Sequence, residues 1–80
     1  MDIKVLGPGC VNCRKMEEMT RTAVKELGIE AKVEKITDIG EIARNGILST
    51  PGLIVNNKLK HSGKPLPTIE KIKEMIKAEA

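Results

Sequence analysis

The sequence predicts an α/β fold with the element order β-α-β-α-β-β-α, in one domain. Three observations carry the prediction. Short apolar stretches near residues 2–6, 31–36 and 53–55 have the look of strands. Apolar residues recur at spacings of three and four over 11–27 and again over 69–76, the helical period. Turn-forming residues stand between these segments. At 80 residues the chain has the length of a single domain (1–80), with no repeat, linker or low-complexity segment.

Ile3, Val5 and Leu6 make the first strand, and Gly7-Pro8-Gly9 stops it. The first helix runs from Val11 to Leu27. Cys13, Met16, Thr20, Ala23 and Leu27 form its apolar stripe, while Lys15, Glu18, Arg21 and Lys25 fall on the other face. Gly28 is a good C-terminal cap. Ala31, Val33 and Ile36 among charged residues predict a half-buried second strand. Asp38 followed by Glu41 resembles a capping box for a short helix through Ile39, Ile42 and Ala43, ending at Asn45-Gly46. Leu53-Ile54-Val55, the turn Asn56-Asn57 and Lys58 to His61 predict a hairpin. Gly63 to Pro67 is a turn-rich connector, and Ile69, Ile72 and Ile76 line the last helix with Met75 beside them. Two β-α-β arms imply parallel pairing early in the chain, and the hairpin implies an antiparallel edge.

Composition narrows the function. Apolar residues are 40% of the chain and charged residues 31%, the balance of a globular domain. Phe, Tyr and Trp are absent, which removes base stacking as a means of binding nucleic acid. The net charge of +3 is spread as mixed Lys and Glu, an ordinary solvated surface. No apolar run is long enough to span a bilayer, and Met1-Asp2-Ile3 opens without a secretory pattern. The expectation is a cytoplasmic monomer with no nucleic-acid or membrane partner.

The chemistry lies in Cys10 and Cys13, the two cysteines of the chain. A disulfide between them closes a tiny loop and stabilises little. In a reducing compartment such a pair is catalytic or metal-binding in preference to structural. Cys10 falls at the start of the first helix, where unpaired N–H groups and the helix dipole favour thiolate over thiol. Cys13 is one turn later on the apolar stripe, within reach of Cys10. The roles follow: Cys10 attacks a substrate disulfide, and Cys13 then attacks the Cys10 sulfur and releases the reduced substrate. The glycines before Cys10 leave room for another polypeptide to approach.

Three alternatives compete. A buried cysteine is often only a small apolar residue, but two at this spacing at a helix start argue against that. The same loop also suits a soft-metal carrier of copper(I) type. Zinc needs about four ligands in a structural site, and His61, far along the chain, is the one histidine to add. Metal-carrying domains with Cys-x-x-Cys after the first strand end in a strand, whereas this chain ends in a helix. The third alternative is a redox-sensing interaction module without turnover.

GPGCVNC after the first strand, VKELGIEAKVEKI leading into the second, STPGLIVNNKLKHSG and PTIEKIKEMI span nearly the whole chain. Together they resemble the small thioredoxin-like, glutaredoxin-like redox-active disulfide proteins of the thioredoxin superfamily. The resemblance implies a thioredoxin-like fold, a four-stranded mixed sheet flanked by helices. It implies a cis Thr50-Pro51 bond beside the cysteine pair, presenting the backbone of Thr50 to an extended substrate. Cys10 and Cys13 would be catalytic, and Gly9, Val11, Asn12, Thr50 and Pro51 would bind substrate. No cofactor beyond the Cys10–Cys13 disulfide and no metal is implied. The partners would be disulfide-containing proteins and an upstream thiol reductase. Val11-Asn12 replace the Gly-Pro and Pro-Tyr usual between the cysteines of thioredoxins and glutaredoxins, so no reduction potential carries over.

Overall fold

The apolar period switches between two and about 3.6 along the chain, and the backbone switches with it. The computed structural model describes residues 1–9, 11–46, 49–63 and 66–79. Its elements are β1 (Asp2–Leu6), α1 (Val11–Leu27), β2 (Lys32–Ile36), α2 (Ile39–Arg44), β3 (Gly52–Val55), β4 (Lys58–Ser62) and α3 (Ile69–Lys77), the order expected. Gly28 ends α1 with a positive φ of 65°. Asp38 caps α2 by accepting a hydrogen bond from the Glu41 amide, and Thr68 caps α3 by accepting from Lys71. Asn56 and Asn57 turn the hairpin with φ of 49° and 66°, as a type I′ turn requires.

The strands form one mixed sheet in the order β2-β1-β3-β4. β1 and β2 are parallel, with Ile3 opposite Val33. β3 is antiparallel to β1, with Val5 opposite Leu53, and β4 is antiparallel to β3. The first β-α-β arm therefore pairs as expected, and the second does not. Leu6 is the register partner of both Ile36, the last residue of β2, and Gly52, the first of β3. The connection through α2 therefore returns the chain to the end of the sheet where β2 stopped, and β3 runs the other way.

Strand alternation sends side chains to two separate cores. Ile3, Val5, Leu53 and Val55 face α1 and α3, where Met16, Ala23, Ile72 and Ile76 complete the main core. Leu6 and Ile54 face the other side and meet Ile42 of α2, with Ile36 packed at the margin. All four residues of β3 are buried, as befits an inner strand covered on both faces. Ile39 and Ala43, expected among the apolar positions of α2, are exposed, Ile39 by 71%. A helix of six residues makes fewer than two turns, and Ile42 alone is buried from it.

Polar contacts fasten the periphery. Lys73 of α3 reaches Glu26 of α1, and that hydrogen bond is the main cause of a Lys73 pKa raised above its ordinary value. Glu79, just past α3, takes Lys60 at 2.6 Å and Lys58 at 3.2 Å on its two carboxylate oxygens. Its backbone carbonyl accepts from Asn56 Nδ2, and Asn56 Oδ1 accepts from the Asp2 amide. These bonds with the two lysines hold the Glu79 carboxyl below its usual pKa. Thr20 is buried and donates its hydroxyl to the Met16 carbonyl at 2.7 Å. Among the described residues, no helix is long and apolar enough to cross a membrane.

Candidate functional site

The site forms where β1 ends. Leu6 is the last strand residue, yet the parallel ladder runs one residue further, since the Gly7 amide donates to the Ile36 carbonyl at 2.8 Å. Gly7 is buried there. Pro8 is exposed, and Gly9 turns the chain with a φ of 94°. Val11 opens α1 and is 64% exposed, Asn12 is half-buried, and Cys13 is 3% exposed. Cys10, the attacking residue of the sequence reading, lies outside the described residues, as do positions 64 and 65 of the Gly63–Pro67 connector.

Cys13 is disulfide-bonded. The helical period places it on the same buried row as Met16, Thr20 and Ala23, so the packing of α1 on the sheet fixes its position. The row ends against Gly7. A Cβ built at Gly7 would overlap Cys13 Sγ and stand 2.9 Å from Cys13 Cβ, closer than carbon atoms approach. The same point is 3.9 Å from Thr50 Cβ. Gly7 thus stands between Cys13 and the loop that enters β3.

That loop carries a cis peptide bond between Thr50 and Pro51. Thr50 is half-buried and Pro51 buried. The end of β4 holds the loop in place: the Gly63 amide donates to the Pro51 carbonyl at 2.9 Å. Gly63 has a φ of 81°, and a Cβ there would lie 3.0 Å from Ser49 Cβ. Glycine therefore satisfies both the left-handed backbone and the close approach. His61, weighed above as a metal ligand, has its Nε2 within 2.8 Å of the Gly63 carbonyl. Among the described residues, no group of three or more His, Cys, Asp or Glu is placed to hold a metal ion.

The electrostatic setting is simple. No acidic residue occupies the first turn of α1, so nothing there offsets the positive end of the helix dipole. Arg14 and Lys15 beside it are exposed. The structure thus brings Cys13 and Thr50 together around Gly7, with Pro51 next in the chain. Val11 points to solvent at the rim. Sequence reasoning missed the part played by Gly7. It took the glycines before Cys10 as room for a partner, whereas Gly7 makes room for Cys13 of the same chain. The available signal was a glycine one residue past a buried strand, on the side where the helix stripe returns.

Known proteins give the same picture. Residues 1–77 match the family model for the thioredoxin domain. The chain is 42% identical over 76 residues to a thioredoxin of Methanothermobacter thermautotrophicus, covering 95% of this chain and 97% of that protein. It is 40% identical over 76 residues to a thioredoxin of Methanocaldococcus jannaschii, covering 95% of this chain and 86% of that one. With a match of this extent on a four-stranded mixed sheet flanked by helices, the chain belongs to the thioredoxin domain family.

Proposed function

We propose that the protein is a thiol–disulfide oxidoreductase that works through Cys10 and Cys13. The observation that carries this reading is the state of Cys13: disulfide-bonded, buried at the first turn of α1, and close to the Thr50–Pro51 loop. The chain has one other cysteine, Cys10, and it is the partner assigned here. In the dithiol form, the Cys10 thiolate attacks a substrate disulfide and expels one substrate thiolate, which takes up a proton. Cys13 loses its proton and attacks the Cys10 sulfur of the mixed disulfide, and the second substrate thiol leaves. Two electrons and two protons pass to the substrate, and the protein is left with a Cys10–Cys13 disulfide. An upstream dithiol reductase returns it to the starting form.

The division of labour rests on access. Cys13 is too buried to meet a substrate, and Val11 beside Cys10 is open to solvent. Gly9, Val11 and Asn12 on one side and Thr50 and Pro51 on the other bound the groove in which an extended disulfide substrate lies. No cofactor or metal enters this scheme, and the protein works as a monomer in a reducing cytoplasm.

Dithiothreitol-driven reduction of insulin tests the reading. The wild-type protein accelerates it, and Cys10→Ser abolishes the acceleration. Cys13→Ser traps a mixed disulfide through Cys10. Absence of insulin reduction together with stoichiometric binding of copper(I) would replace this reading with metal carriage. Trapping by Cys10→Ser in place of Cys13→Ser would reverse the two roles.

A further inference from the structure

We infer that Gly7 is a positioning residue for Cys13, and that its missing side chain sets the balance between the disulfide and dithiol forms. The inference rests on the disulfide-exchange reading above. Gly7 does not lie in the left-handed region, so its backbone suits other residues. What excludes a side chain is space, and the space is taken by Cys13 Sγ and Cβ. Neither backbone can retreat. Gly7 is tied to Ile36 by its amide and follows the fully buried Leu6. Cys13 rides on a helix whose buried row, Met16 and Ala23, is packed into the main core.

The contact with Cys13 Cβ is the same in both redox forms, so the part of the clash that can be relieved is the overlap with Cys13 Sγ, by a movement of the sulfur. The two redox forms differ in their capacity to do this. In the disulfide, Sγ is bonded and held against position 7. In the dithiol, the Cys13 side chain is released to choose another staggered rotamer. An added methyl then disfavours the disulfide more than the dithiol, and the protein becomes a stronger oxidant.

The test is the equilibrium of Gly7→Ala with mixtures of reduced and oxidised dithiothreitol. In this reaction the protein disulfide takes two electrons and two protons from dithiothreitol, which closes to its cyclic disulfide. The expected result is an equilibrium shifted toward the protein dithiol on the order of tenfold, the scale of one methyl forced into a packed site. That is about 30 mV for a two-electron couple. Gly28→Ala serves as a control, because it strains the backbone at a φ of 65° with nothing within 4 Å. It lowers stability and leaves the equilibrium within twofold of wild type. A Gly7→Ala equilibrium within twofold of wild type, or an equal shift in Gly28→Ala, would overturn the inference.

A stability cycle gives a second readout. Cys13→Ala removes the sulfur that the new methyl meets first, so Gly7→Ala costs less in that background than in the wild type. An undiminished cost overturns the inference even if the single variant folds poorly. A wild-type protein that fails to equilibrate with dithiothreitol sinks the exchange reading instead, and the cycle still decides the contact.

Discussion

Replacing Ile42 tests the division of the fold into two cores. Ile42 is the one buried residue of α2, 5% exposed, and it meets Leu6 and Ile54 on the α2 side of the sheet. Ile42→Ala removes three carbons, worth about 0.8 kcal/mol each when buried, or about 2.4 kcal/mol of transfer free energy. The cavity that remains raises the expected cost to about 2–5 kcal/mol. A domain of this length holds about 4–12 kcal/mol in all, so the variant loses a large share of its stability. Ile39→Ala, three residues earlier on the same helix but 71% exposed, costs less than about 0.5 kcal/mol. Urea unfolding followed by far-ultraviolet circular dichroism measures both, since the chain has no Trp or Tyr to report by fluorescence. Equal costs for the two variants, or less than about 1 kcal/mol for Ile42→Ala, would refute the reasoning.

Other outcomes follow from the same geometry. Glu79→Gln lowers stability at pH 7, because the depressed pKa of Glu79 means that its charged form favours the folded state. That contribution is fully present above the ordinary value of 4.5 and fades as pH falls through the lower, folded value. The gap between wild type and variant therefore narrows in urea titrations below about pH 4.5. A gap that is constant from pH 7 to pH 3 contradicts the pairing with Lys58 and Lys60. Gly63→Ala costs about 1–2 kcal/mol, since it puts an L-residue in the left-handed region and crowds Ser49. It also slows insulin reduction, because the Gly63 amide holds the Pro51 carbonyl. Unchanged stability and rate would separate that contact from the site.

Much of the fold was legible in the sequence, for local reasons. The bounds of β1 and α1 are marked by Gly7-Pro8-Gly9 and Gly28, and the stripe Cys13, Met16, Thr20, Ala23 follows the helical period. Asp38 and Asn56-Asn57 act through bonds and torsions confined to a few residues. What was not legible depends on neighbours far along the chain. The direction of β3 follows from where it enters the sheet, with Gly52 opposite Leu6. The exposure of Ile39 depends on where a short helix meets the sheet. At the candidate site, the positions of Cys13 and of the Thr50–Pro51 loop followed from motif and resemblance. The contact of Gly7 with Cys13 did not, because a glycine announces flexible backbone in sequence, while here it supplies an absence of atoms.

The antiparallel run of β3 beside β1 has a consequence for the protein while it is being made. Leu6 and Gly52 are register partners, so the end of β1 and the entry to β3 meet only when the later strand has been synthesised. A nascent chain that has emerged as far as Gly46 contains both cysteines and the whole of α1. It does not yet contain Thr50, Pro51 or the β4 end that anchors them. Through that interval the two cysteines are present without the Thr50–Pro51 loop that lies beside Cys13 in the finished fold. Gly7, Cys13 and Thr50 come together only as the second half of the chain leaves the ribosome.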